Sequence, residues 1–262
     1  NFVHKDFKNH ESRYIQKTLA TEMSFEDYFK MAEEVRNVGC IPMATPFDEN
    51  SVDTCMQLGF EIIKIASSDA NDWPLIQKVA ETGKPVIVSN GGLSEKDLDD
   101  LVKFFENRKI PLAINHCVSL YPSEDSELML DQIDYLRERY PNNLIGFSSH
   151  EYHDWASSMF ISYAKGARSW ERHIDVDYEG KDWEGKKISP YCTKPLDANI
   201  WFEAYHKAKQ MSGGNTSSKR VISAKEIKYL DELVRGIYAK REIKTGTIIN
   251  SDNFSKYFYL AI

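Results

Sequence analysis

The chain has 262 residues, 42% hydrophobic and 28% charged, with a formal net charge of −7, the make-up expected of a soluble globular chain with a sizeable core. The acidic balance argues against sequence-independent nucleic-acid binding, which needs a basic surface. No apolar run approaches 18 residues, so no membrane-spanning helix is expected.

In chain order, "SFEDYFKMAEEVRNVG" (24–39) predicts the first helix, with Ser24 and Asp27 at capping-box spacing and Gly39 at its close. Six apolar runs follow: "CIPMATPF" (40–47), "FEIIKIASSD" (60–69), "PVIVSNGG" (85–92), "PLAINHCVSLYP" (111–122), "LIGFSSHE" (144–151) and "ARSWERHIDVD" (167–177). Most are rich in Ile, Val and Leu without polar alternation, as in parallel strands buried on both faces. Between them, "LSEKDLDDLVKFFENR" (93–108) starts at Ser94 with acids in its first turn, and "SEDSELMLDQIDYLRERY" (123–140) and "DWASSMFISYAKGA" (154–167) read as further helices. This alternation predicts an α/β fold with a parallel sheet covered by helices. Nearly every run ends in polar residues, which favours a (β/α)8 TIM barrel with one active mouth over an open doubly wound sheet. Beyond residue 195, "DANIWFEAYHKAKQM" (197–211) predicts a helix and "SGGNTSS" (212–218) a break. "SAKEIKYLDELVRG" (223–236) predicts a helix capped by Ser223 and closed by Gly236, and the remainder turns β-like. The domain reading is a barrel part over 1–212, a linker with a helix over 213–237, and the start of a small module over 238–262.

The start, "NFVHKDF", carries neither a methionine nor a signal peptide, so the lack of a targeting segment has no weight. Cys40, Cys55, Cys117 and Cys192 show no CxxC spacing; they read as reduced thiols of a cytoplasmic protein, with Cys117 in a core strand.

His150 and His173 would end consecutive strands. Neighbouring strands lie roughly 5 Å apart, so both imidazoles could reach one cation of the Mn, Fe or Zn type, with carboxylates or water completing its shell. Spacing alone leaves open that they are hydrogen-bonded polar residues at a barrel mouth. His153, three residues on, falls in a loop or helix start and is the weaker ligand candidate. Lys64 and Ser67 have odd spacing and face opposite ways unless the strand ends or bulges between them. A lysine in an apolar run needs an anion. Ser89 precedes glycines that allow close approach, and Ser148 shares a face with His150. Hydroxyls, backbone amides and a lysine together suit a phosphate, whereas Ser94 reads as a helix cap. Asp69, Glu151, Asp175 and Asp177 are candidates for acid–base work or for holding a polyol, although each alone reads as a solvated loop charge. The tryptophans read as packing residues.

Taken in order, "ATPFDENSVD" (44–53), "IIKIASSD" (62–69), "TGKPVIVSNGG" (82–92), "INHCVSLYP" (114–122), "GFSSHE" (146–151) and "WERHIDVD" (170–177) resemble the strand-end motifs of the sialic acid (N-acetylneuraminate) synthases and related nonulosonic acid synthases. The likeness runs from 40 to 175, more loosely to 212, and "YAKREIKTGTIINSDNF" (238–254) is similar to the family's lead into an antifreeze-like domain. The resemblance implies a (β/α)8 barrel followed by that domain, in a homodimer formed by swapping it. It implies a transferase that condenses phosphoenolpyruvate with an N-acetylated hexosamine such as N-acetylmannosamine, giving a nonulosonic acid and phosphate, with a divalent Mn or Mg ion. By position, His150 and His173 would be the metal ligands and Asp69 would stand for a catalytic glutamate. Lys64, Ser67, Ser89, Ser119, Tyr121 and Ser148 would contact phosphoenolpyruvate, with Asp177 as a further substrate-binding residue. Against the family pattern, the first two barrel strands are missing, Asp69 replaces Glu and Ser149 replaces Asp. Two rival readings follow: another metal-dependent TIM-barrel aldolase, and a catalytically lapsed paralogue that binds sugar or oligomerises.

Overall fold

The computed structural model describes residues 13–176, 189–213 and 219–262. The chain divides into two units, 1–214 and 215–262.

The first unit begins with helices α1 (Arg13–Ala20), α2 (Phe25–Asn37) and α3 (Glu49–Gln57). Strands and helices then alternate: β1 (Ile63–Ile65), α4 (Trp73–Glu81), β2 (Val86–Ser89), α5 (Glu95–Asn107), β3 (Leu112–Cys117), α6 (Gln132–Arg139), β4 (Leu144–Ser149), α7 (Trp155–Ala164), β5 (Trp170–Arg172) and α8 (Pro195–Met211). Side-chain caps start the helices, as their sequences indicate. Ser24 Oγ accepts from the Asp27 N–H, Ser94 Oγ from the Asp97 N–H and Asp154 Oδ1 from the Ser157 N–H, at 3.0–3.2 Å. After α2, Gly39 takes φ +80°, a left-handed turn that glycine allows without strain.

All five strands are parallel and lie in the order β1-β2-β3-β4-β5, with no reversal. A doubly wound sheet would reverse its strand order at a switch point, so the sheet is a curled half-barrel. Strand alternation divides its residues between two faces. Ile63, Ile65, Val86, Val88, Ile114, Ile145 and Phe147 point one way and bury against Leu75, Ile76, Leu101, Phe105 and Ile133 of the helices. Each such side chain contributes roughly 1.5–3 kcal/mol of burial. The opposite parity carries Lys64, Ser89, Cys117, Ser148 and Glu171, whose side chains line a cavity. Among the described residues, no helix is long and apolar enough to cross a membrane.

Three expectations are corrected. Run 40–47 makes only an isolated bridge, Ala44 to Ile63. Pro42 and Pro46 flank that bridge without backbone donors, so no ladder can extend from it. The helix expected over 123–140 is two pieces, a 3-10 turn at Asp125–Glu127 and α6. Met129, with φ +47°, breaks the helical path between them. In the second unit, α9 (Ala224–Asp231) is capped by Ser223 but stops well short of Gly236, which instead opens β6 (Gly236–Ala239). β6 pairs antiparallel with β7 (Phe258–Ala261), which follows the short helix α10 (Phe254–Tyr257).

His116 ties β3 to the segment before α6. Its Nε2 donates to the Leu128 carbonyl at 2.8 Å, and its ring stacks on Phe147. Burial holds this imidazole below its ordinary range, with the Leu128 bond opposing. The folded chain thus resists a proton that the unfolded chain accepts near pH 6.5. This contribution to stability is fully present above that pH and is lost as the pH falls below it. The urea midpoint is expected to fall between pH 7.5 and pH 5, and to fall less in His116→Gln; equal drops in the two proteins would contradict the assignment.

Candidate active site

The C-terminal ends of the strands surround a cavity of about 730 Å³. Each strand supplies polar residues to it: Lys64 and Ser67 from β1 and its exit, Ser89 and Gly91 from β2, and Ser119 and Tyr121 beyond β3. Ser148 comes from β4 and His150 from just beyond it, and Glu171 comes from β5 and His173 from just beyond it. Thr45, Phe47 and Tyr191 complete the wall with apolar and hydroxyl surface.

The odd spacing of Lys64 and Ser67 is resolved by the strand ending between them. β1 stops at Ile65, and Ser67 opens a 3-10 turn, Ser67–Asp69, so both residues reach the cavity. Lys64 is 5% exposed. Its Nζ donates to Ser89 Oγ at 2.8 Å and lies 3.2 Å from Glu171 Oε2. Ser148 Oγ donates to the other oxygen of Glu171 at 3.0 Å. Glu171 is therefore the anion that the buried lysine requires, and sequence reasoning missed it. The signal was present: Glu171 stands two residues before His173 and so shares its face of the strand. An ammonium has three donors, and these two contacts leave one for a ligand. Gly91 keeps the floor open. Its N–H donates to Ser67 Oγ at 3.1 Å, and a Cβ there would stand 2.9 Å from Ser67 Oγ and on top of Ser119 Oγ.

His150 and His173 stand side by side with ring centroids 5.3 Å apart, and Tyr121 packs on both rings. Metal–imidazole bonds are about 2.0–2.1 Å long, so rings at this separation fit a shared cation. His150 Nδ1 lies 3.3 Å from the Val118 carbonyl, which can only accept. Nδ1 therefore carries the proton and Nε2 keeps its lone pair for a ligand. Burial, reinforced by the neighbouring His173, pushes the His150 pKa down to about 4, so the imidazole is neutral at pH 7. Among the described residues no third His, Cys, Asp or Glu joins the pair as a metal-binding cluster. A cation held here would take its remaining ligands from water or substrate oxygens.

Other candidates fall elsewhere. Asp69 is not part of the cavity lining, although Ser67 and Ser68 of its turn are. Burial raises its carboxyl above the usual carboxylate range, and Ser68 Oγ donates to it at 2.7 Å. Glu151 is fully buried and paired with Arg172 outside the cavity, so it is corrected from an acid–base candidate to a packed ion pair. His153 packs on Tyr152 and approaches Glu124, away from His150 and His173. Asp177 lies outside the described residues. Trp73 packs edge-on against Phe104, and Trp170 stacks on Tyr163, as packing residues do.

A parallel half-barrel that gathers a buried lysine, serine hydroxyls and two adjacent imidazoles at its strand ends defines an α/β chain of the barrel class with one polar mouth. A sequence model of the NeuB family matches residues 1–195, and the chain belongs to that family. An N-acetylneuraminate-9-phosphate synthase of Drosophila melanogaster is 34% identical over 68% of this chain and 48% of its own length. A provisionally named spore coat polysaccharide biosynthesis protein E from Chromobacterium violaceum superposes with a TM-score of 0.89 at 32% identity, covering 100% of this chain and 75% of that one. The N-acetylneuraminic acid synthetase of Leptospira borgpetersenii, solved with citrate, gives a TM-score of 0.73 at 25% identity over 87% of this chain and 78% of its own. The chain spans between 48% and 73% of the length of the curated relatives it matches.

Proposed function

We propose that this chain carries the catalytic site of a synthase that joins phosphoenolpyruvate to an N-acetylated hexosamine, N-acetylmannosamine or a close analogue, releasing a nonulosonic acid and inorganic phosphate. The observation that carries this reading is a single cavity holding both a lysine-bearing, hydroxyl-rich floor and a pair of adjacent imidazoles. The floor suits the phosphate and carboxylate of phosphoenolpyruvate. Lys64 supplies charge, and Ser67, Ser89, Ser119 and Ser148 supply hydroxyl donors in a partly dry site where such contacts are strengthened. Tyr121, packed on both imidazoles and lining the same cavity, is a further contact for phosphoenolpyruvate. A divalent Mn or Mg ion held by His150 and His173 would supply Lewis-acid polarisation of the sugar aldehyde.

The carbon balance is simple. The bond forms between the methylene carbon of phosphoenolpyruvate and the aldehyde carbon of the sugar. Water adds to the carbon that bears the phosphate, one of its protons going to the former aldehyde oxygen, and that carbon's bond to the phosphate oxygen breaks as phosphate leaves with the other proton. Lys64 and the serines hold the phosphate oxygens as their charge redistributes. Asp69 follows the lining residues Ser67 and Ser68 without lining the cavity itself, so any part it takes in proton transfer runs through an intervening water.

The test uses the intact protein with Mn²⁺ or Mg²⁺, phosphoenolpyruvate and a sugar panel: N-acetylmannosamine, its 6-phosphate and a dideoxy-diacetamido hexose. Phosphate release that depends on one sugar is the expected result. Consumption of aldehyde without phosphate release would favour a plain aldolase. Silence across the panel together with no calorimetric binding of phosphoenolpyruvate would fit a lapsed paralogue and overturn the proposal.

A further inference from the structure

The cavity wall explains what His150 and His173 face, but not what holds them at their spacing. The β4–β5 ladder ends at the pair Ser149–Arg172. Both histidines stand one residue beyond it, where that ladder no longer sets their separation. Strand alternation turns Arg172 and residues 149 and 151 to the opposite side from the imidazoles. There one guanidinium grips both neighbours of His150. Arg172 Nη1 donates to Ser149 Oγ at 3.0 Å, and Nη2 donates to the Glu151 carbonyl at 2.8 Å. Nη1 also lies 3.4 Å from Glu151 Oε1, with both side chains shielded from water at 2% and 0% exposure. The third face of the fork, Nε, donates to Thr193 Oγ1, and the Thr193 backbone N–H donates to the His173 carbonyl at 2.9 Å. Trp155 covers the guanidinium plane at 4.5 Å. A single arginine thus bridges the residues around His150 to the backbone around His173.

We propose that Arg172 and Glu151 are a positioning pair, whose buried ion pair sets the separation of the two imidazoles for a shared divalent cation; this rests on the metal-site reading above. Position, rather than stability, is the argument for such a pair. A buried ion pair of this kind is often replaceable by apolar residues without loss of stability. This one is also kept with Glu151 Oε2 lacking any partner among the described residues, an arrangement that works against stability. A lysine here would keep the charge but, as a point charge without the planar fork, would not meet the same three partners at once.

The experiment is Mn²⁺ binding to the intact protein, read by electron paramagnetic resonance of the free ion, with thermal melting measured alongside. Groups behind metal ligands typically contribute 10–100-fold to affinity. Glu151→Gln and Arg172→Lys are each expected to weaken Mn²⁺ binding at least about tenfold. The double variant Glu151→Leu with Arg172→Met removes the unpaired charge and is expected to melt near the wild type while still binding Mn²⁺ at least about tenfold more weakly. Should the double variant fail to fold, Thr193→Val decides, since it removes one anchor of the guanidinium at nearly constant volume; a several-fold loss at an unchanged melting temperature is expected. Wild-type affinity in a folded double variant, or in Thr193→Val where the double variant does not fold, would overturn the inference and leave the metal site standing. A wild-type protein that binds no Mn²⁺ would overturn the metal site and this inference together.

Discussion

Lys64→Met is expected to weaken binding of phosphoenolpyruvate by about 100-fold and to suppress phosphate release in proportion. Among the described residues lining the cavity, Lys64 is the one lysine or arginine. Hydrogen bonds to charged groups contribute roughly 1.5–3 kcal/mol each, and every 1.4 kcal/mol is about tenfold in affinity. Lys64 can offer a phosphate or carboxylate one such bond directly, and it also orients Ser89 through the 2.8 Å contact between them. Methionine matches the unbranched stem, so packing between β1 and β2 is retained. The partner left behind, Glu171, has a side chain 37% exposed and keeps the Ser148 hydroxyl, so water can solvate its freed oxygen. The variant should therefore fold, and the loss should appear in binding. Calorimetry with phosphoenolpyruvate reads it directly; an unchanged dissociation constant in folded Lys64→Met would remove the anion site from the proposal.

The second large effect is expected at the imidazole pair. His150→Ala should lower Mn²⁺ affinity by more than about 100-fold, because residues behind metal ligands already contribute 10–100-fold and a ligand contributes more. The lowered pKa of His150 makes the wild-type ring ready for this role at neutral pH without losing a proton first. His173→Ala should match it, since the two rings are neighbours at 5.3 Å and would share the ion. His153→Ala, three residues along but packed on Tyr152, should leave Mn²⁺ affinity within about twofold, as expected of surface positions away from the site. Equal losses at all three histidines would show that the effect is not local to the pair. A chelator should abolish phosphate release in the wild type, with activity returning on addition of Mn²⁺ or Mg²⁺.

The placement of Lys64, Ser89, Ser148, His150 and His173 was legible because strand alternation is a local rule. Residues two apart share a face wherever the strand runs straight. Ser67 was ambiguous by that rule, and the end of β1 at Ile65 resolved it. The run at 40–47 looked like a strand by composition, yet Pro42 and Pro46 leave too few donors for more than the Ala44 bridge. Glu151 read as an acid–base candidate or, by itself, a solvated loop charge, and it is neither exposed nor in the cavity. Its parity turns it to the other side, where Arg172 meets it. The helix break at Met129 carried no proline or glycine signal and depended on the positive φ found there.

Local sequence thus determined the alternating strands and helices, the capping residues Ser24, Ser94 and Ser223, and which side chains would share one face at the strand ends. Tertiary structure alone decided two pairings between strands: Glu171 against Lys64, and Arg172 against the neighbours of His150. The reason is physical. Alternation and capping act within a few residues, whereas a partner across the sheet is set by register and curvature, and those come from burying the apolar faces of all five strands together.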